Sequence, residues 1–239
     1  MTQTAPKYIR PKDIDNRATF WQRVQWRLGT IGWDLLYWGP MKLLGPDRAS
    51  NFGGWLMKKI GPRLSQHKTV KRNLRLAFPD WTDVQIEQTA LDAWESAGRV
   101  AGELPHLPSI DPYTSGRVDI VGLDVLDRLK APKGVGTREL MRALAKGQTI
   151  ALMNDQKFNE GVAVPFFGHD AMTAPGPTRL AMKYGVPIVP VSTVRTGPAR
   201  FRITFHDPFM PETTGDETAD IQRSVQRITD FIEEQVRAN

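Results

Sequence analysis

The 239-residue chain contains no cysteine. A disulfide framework, a thiol nucleophile and thiolate metal sites are therefore excluded, and the composition fits a reducing compartment. Histidine is scarce as well, with four in the chain, and the four are too scattered to show a metal-ligand spacing, so metal catalysis is not expected. No run of about 18 uninterrupted apolar residues is present to make a spanning helix, and Met1 to Lys12 lacks the apolar core of a signal peptide. Acidic residues are sparse at one end. Residues 1–79 carry 15 Lys and Arg against 4 Asp and Glu, whereas residues 80–239 carry 17 against 22. The net charge of +6 thus resides in the N-terminal third, which is the part suited to an anionic partner.

What is present fits a folded α/β chain with 40% hydrophobic and 24% charged residues. All seven tryptophans fall within the first 94 residues, several of them among basic side chains, a mixture that suits a lipid headgroup zone. From Asn16, the residues Trp21, Val24, Leu28, Ile31, Leu35 and Trp38 recur at helical spacing until Gly39-Pro40. An interfacial helix, a core or partner-packed helix, and a short span all fit that stripe; the interfacial reading assigns residues 1–45 to a membrane-interface segment and 46–239 to an α/β domain.

Helices are expected from Asp47, as N-cap, to Ile60, from Ser65 to Ala77, and from the capping box Thr82-x-x-Gln85 to about Glu103. The last of these offers Val84, Ile86, Leu91, Trp94, Val100 and Leu104 for burial. Lys68, Lys71, Arg72 and Arg75 make a basic face on the second, but no aromatic or Gly-rich RNA-binding motif accompanies it, and nucleic acid is not the expected partner. Arg117–Val121 reads as a strand and Asp124–Lys130 as a short helix. After Ala131–Val135, where α/β alternation calls for a buried strand, the chain passes directly through Gly136-Thr137 into a helical stretch.

The stretch Asp155–Pro190 has the composition of a site. A buried-strand candidate, Gln148–Met153, exits at Asn154, Asp155 and Gln156, followed by a long loop carrying Val164, Pro165, Phe166, Phe167 and Gly168. A helix over Thr178–Tyr184, stopped by Gly185, and a strand over Val186–Val191 complete the unit. Phe201–Phe205 pairs with Val189–Val194 through Thr196–Pro198. Asp216–Val236 closes the chain as an amphipathic helix with Ile221, Val225, Ile228, Phe231, Ile232 and Val236 inward.

The run GQTIALMNDQ (Gly147–Gln156), then GVAVPFFG (Gly161–Gly168), Thr173 and PIVP (Pro187–Pro190) resembles the lipid A biosynthesis acyltransferases, the late lauroyl/myristoyl transferases of the lysophospholipid acyltransferase superfamily. His67, Val70, NLRLAFP (Asn73–Pro79), Gly98-Arg99 and Glu103 are similar to the same family. The resemblance implies a mixed sheet flanked by helices, acyltransferase-like, with a basic amphipathic N-terminal region on the cytoplasmic face of the inner membrane. It implies transfer of a fatty acyl chain from acyl carrier protein, whose thioester is the co-substrate and which leaves no further cofactor to be supplied, to a lipid A precursor. Asp155 would support catalysis, and Gln156, Pro165, Phe166, Phe167, Gly168 and Thr173 would bind substrate. For the two phenylalanines, a core-plug role competes with that assignment.

Acyl transfer to a hydroxyl needs a general base and donors for the developing oxyanion. The family supplies the base as a His followed five positions later by an acidic residue, after the strand that should follow Gly134-Val135. Strand and motif are both missing from this sequence, so Val135-Gly136 reads as a junction across a deletion. His106–Asp111 matches the bare pattern, but it precedes the first core strand and is interrupted by Pro108, and it reads as an accident. His169 reads as a solvent-facing loop residue. Three functions follow: a lipid A (or other glycolipid) acyltransferase, a catalytically dead membrane-surface lipid-binding protein, or an anion-binding module.

Overall fold

The computed structural model describes residues 32–125, 149–154 and 157–239. Most of the N-terminal stripe, the junction at Val135-Gly136, and Asp155 and Gln156 lie outside the described residues. Among the described residues the architecture is mixed α/β: helices between residues 34 and 109, a three-stranded sheet, and a separate two-stranded hairpin packed on the last helix.

Gly39-Pro40 does not end the first helix as expected. A π-helical turn, Asp34–Trp38, closes with the Gly39 N–H on the Asp34 carbonyl and runs into α1 (Gly39–Leu44), so the widened turn absorbs the proline that lacks a donor. The break comes at Gly45, where φ is +74°. Met41 is buried and its carbonyl faces His106 Nε2 at 3.0 Å, while the Tyr37 hydroxyl donates to the Ala101 carbonyl.

Helix α2 (Pro46–Ile60) starts with proline at its first position, and Gly45 rather than Asp47 is the N-cap. Asp47 is instead drawn into a bidentate pair with Arg117 at 2.7 and 2.9 Å, an alternative that the local sequence does not disclose. Helix α3 (Gln66–Ala77) follows, and α4 (Asp83–Glu103) begins with the expected reciprocal capping box of Thr82 and Gln85.

Small residues, not large ones, join α2 to α4. Ala49, Ser50, Gly53 and Gly54 are buried against Gly98 and Gly102, so closely that a Cβ on Gly98 would lie 2.1 Å from the Gly53 carbonyl oxygen. Val84, Val100 and Leu104, expected to be buried, are exposed instead: Val100 and Leu104 point away from the glycine face, and Val84 lies on that face but in the first turn, far from the contact at Gly98 and Gly102.

Strand β1 (Val118–Val121) runs parallel to β5 (Arg200–Phe205), which pairs antiparallel with β4 (Val191–Gly197), giving the order β1-β5-β4. The hairpin predicted from Phe201–Phe205 is therefore present. The strand expected from Val186 begins only at Val191: Pro187 and Pro190 have no N–H to donate, and only Ile188 makes an isolated bridge, to Phe209. Residues 149–153 form no strand among the described residues, and Met153 is 81% exposed. An apolar run encodes burial but does not name a pairing partner.

The expected loop after Gln156 is also corrected. Residues Lys157–Phe166 form β2, paired antiparallel with β3 (His169–Thr173) around the two-residue turn Phe167-Gly168. Alternation of Val162, Val164 and Phe166 carries this strand, and Val164 forms a small core with Ile221 and Val225. Helix α5 (Gly176–Tyr184) ends at Gly185 in the left-handed conformation, as expected, and α6 (Glu217–Ala238) starts at an N-capping Asp216. Val236, expected inward, is exposed near the helix end. Among the described residues no helix is long and apolar enough to cross a membrane.

Candidate functional site

A cavity of about 700 Å³ lies between residues 149–154, helix α5, the segment 186–191 and helix α6. Its walls are almost wholly apolar: Ile150, Leu152, Leu180, Val189, Phe205, Ile228, Phe231 and Ile232 are typical of them. That volume is within the range of small-molecule sites. One polar side chain stands out. Asn154 lines the cavity with its amide buried, and neither amide atom has a hydrogen-bond partner among the described residues. A buried amide left in that state is costly, so the position favours a ligand oxygen.

Asp155 and Gln156, which follow Asn154 directly, lie outside the described residues. The other site residues named from the sequence gather on the β2–β3 hairpin, and none of them lines the cavity. Pro165 is exposed, opposite Asp170, and its carbonyl accepts from Gln226 Nε2 at 3.1 Å. Phe166 and Phe167 meet edge to face at 4.8 Å, and Phe167 meets Phe78 at 5.3 Å. Phe78 is itself stacked on Trp81 at 4.0 Å, and the Arg237 guanidinium lies 4.5 Å from the Phe167 ring. Thr173 pairs with Val162 at the opposite end of the hairpin, roughly 14 Å along the strand from the tip. The fold thus groups Phe166, Phe167 and Gly168 and separates them from Thr173.

The tip itself is strained. Phe167 and Gly168 have φ of +50° and +74°, the geometry of a two-residue turn that glycine or asparagine usually occupies. A phenylalanine there costs on the order of 1–2 kcal/mol. Glu233 of α6 holds it: its carboxylate accepts the Phe167 N–H at 2.6 Å and binds Arg237 at 2.7 Å. Those bonds, the backbone N–H first and then Arg237, keep the Glu233 carboxyl below its ordinary pKa. The tip of the β4–β5 hairpin repeats the device. Ala199, at φ +49° and fully buried, donates its N–H at 3.1 Å to Glu103, which also binds Arg195.

All four histidines lie among the described residues. His67 is held on both ring nitrogens: Nδ1 accepts from the Trp94 indole at 3.2 Å, so the proton sits on Nε2 and faces Glu87 at 3.2 Å. His106 faces the Met41 carbonyl in the 3-10 helix Leu104–Ser109, while Asp111 bonds Tyr113 and Thr114 in its own turn. The bare His-x-x-x-x-acid match therefore assembles no pair. His169 is exposed on β3.

His206 is the residue that sequence reading passed over. Its Nε2 lies 2.8 Å from Ser192 Oγ, and its ring meets Phe231, a cavity wall residue, edge on at 4.8 Å. The signal was available in the β4–β5 pairing, which puts Ser192 opposite Thr204 and the His206 N–H on the Pro190 carbonyl, so that 192 and 206 share one face.

The family model described as bacterial lipid A biosynthesis acyltransferase matches residues 15–135 and 131–239, in two pieces that meet near the proposed junction. Comparison with curated proteins finds no significant match. Because the two pieces span nearly the whole sequence, the chain belongs to the bacterial lipid A biosynthesis acyltransferase family.

Proposed function

We propose that this family member binds a fatty acyl chain at the cytoplasmic face of an inner membrane but does not complete transfer from acyl carrier protein to a lipid A precursor. The observation that carries this reading is the apolar cavity, whose walls include Asn154 as a lone unsatisfied amide and no histidine among the described residues. Burial of an acyl chain against these walls releases water from apolar surface, and the Asn154 amide donates to the carboxyl or ester oxygen at its end. Acyl transfer needs more. A base must reach the acceptor hydroxyl, and His67 and His106 have ring atoms committed to other partners. A deletion at Val135-Gly136, where the family's base belongs, would leave the chain without that base while both flanking stretches still match the family.

Two measurements test the reading. Displacement of a fluorescent fatty acid should report saturable binding to the 239-residue chain, weakened by Ile232→Trp, which fills the cavity. A radiolabelled assay with acyl carrier protein and a lipid A precursor should show no transfer above background beside an active family member. Absence of acyl binding, or robust turnover, overturns it.

One observation favours active transfer, to a lipid A precursor or another glycolipid: the Ser192 and His206 pair beside the cavity wall. In that case His206 is the base. His206→Gln would then cost about 10² to 10⁴ in rate, whereas His106→Ala would leave the rate within a few-fold.

A further inference from the structure

Helix α2 has two opposed faces. Ala49, Ser50, Gly53 and Gly54 are buried on α4, and on the other side Arg48, Phe52, Trp55 and Lys59 follow one another at spacings of four, three and four. At 100° per residue these four fall within one narrow stripe about 16 Å long. All four are exposed, Trp55 by 57% and Phe52 by 41%, and their two rings lie 5.9 Å apart. A pair of exposed aromatic rings bracketed by two cations on the outer face of a helix is not explained by packing.

We propose that this stripe docks α2 onto an anionic lipid surface, the rings entering the headgroup zone while Arg48 and Lys59 meet lipid phosphates; the proposal rests on the membrane part of the function proposed above. Charge complementarity selects the occupant. Residues 32–64 hold five Lys and Arg against two acidic residues; Asp47 is paired with Arg117 and Lys58 with Asp92 and Glu95, which leaves Lys42, Arg48, Lys59 and Arg63 against Asp34. Exposed Leu43 and Lys42 on α1 extend the same character toward the N-terminus. Aromatic rings between cations favour a bilayer interface over a nucleic acid, which would need bases to stack in register.

The stripe sits beyond residue 45, so it is separate from the N-terminal segment in sequence and can be tested without removing it. Deleting residues 1–45 would be a poor test, because Met41 and Tyr37 pack against the end of α4 and the turn that follows it. The absence of native cysteine supplies a better one. Trp55→Cys in the full chain is labelled with an environment-sensitive fluorophore, with Gln222→Cys on the exposed side of α6 as control. Vesicles of phosphatidylethanolamine with phosphatidylglycerol should blue-shift the label at 55 and leave the one at 222 unchanged. Neutral vesicles or high salt should abolish the shift. The double variant Arg48→Glu, Lys59→Glu should weaken vesicle binding by on the order of tenfold or more, at unchanged thermal midpoint.

An unmoved label at 55 in a chain that still binds vesicles overturns the docking stripe and leaves the membrane reading intact. No vesicle binding at all overturns both. A label already blue-shifted without lipid, and unaffected by it, assigns the stripe to another part of the chain or to a second copy and overturns the proposal.

Discussion

Glu103 shows how much one side chain decides. It is only 3% exposed, and it binds Arg195 and the N–H of Ala199, tying the end of α4 to the tip of the β4–β5 hairpin. Glu103→Ala would strand a partly buried guanidinium and a buried backbone donor. We expect a loss of about 3–5 kcal/mol in denaturant unfolding, with Glu103→Gln losing less because its amide oxygen still accepts. Glu233 plays the matching part for Phe167, whose N–H it accepts. The sequence marked Glu103 only by resemblance and did not mark Glu233 at all. Glu233 has Arg237 one turn on, but nothing near either carboxylate in sequence reveals its long-range partner, because Arg195 comes from a distant strand and Phe167 from a distant turn. His106 gives the converse case: a pattern legible in sequence that folding does not assemble, since the prolines around it enforce a 3-10 turn and Asp111 is consumed locally.

Among elements, the α2–α4 contact is the most sensitive. Gly53, Gly98 and Gly102 are packed backbone to backbone, so the usual gain of roughly 1 kcal/mol from Gly→Ala in a helix cannot be realised there. Gly98→Ala should instead destabilise by about 1–3 kcal/mol or more, read as a lowered denaturant midpoint, because the added methyl meets backbone that cannot turn aside. Helix termini were largely readable: the Thr82 capping box, Gly185 and Asp216 act through contacts within a few residues. Burial along α4 was not readable. Hydrophobicity nominated Val100, but the interface selected the opposite face, where residues are small enough for close approach.

At the scale of the molecule, acid should unfold this chain by breaking ties between its elements. Arg117 hydrogen-bonds Asp47, Lys71 hydrogen-bonds Glu87, and Lys58, then Arg99, hydrogen-bond Glu95; each holds its carboxyl below the ordinary range, as the Phe167 N–H does for Glu233. A folded pKa below the unfolded one contributes stability that is complete above the unfolded value, near pH 4, and lost as pH falls through the folded values. Thermal midpoints should therefore hold from neutrality to about pH 5 and fall steeply below about pH 4; a midpoint that rises on acidification would contradict these pairings. Charge placement, helix periods, the last hairpin and family membership were all decided by the sequence itself, because each rests on local spacing or on motifs that survive in order. The cavity, the ties of Glu103 to Arg195 and of Glu233 to Phe167, and the two-faced character of α2 were decided only by tertiary structure. Each of these joins residues far apart in the chain or divides one helix between a neighbour and solvent, and neither residue spacing nor hydrophobicity specifies which distant surface will arrive.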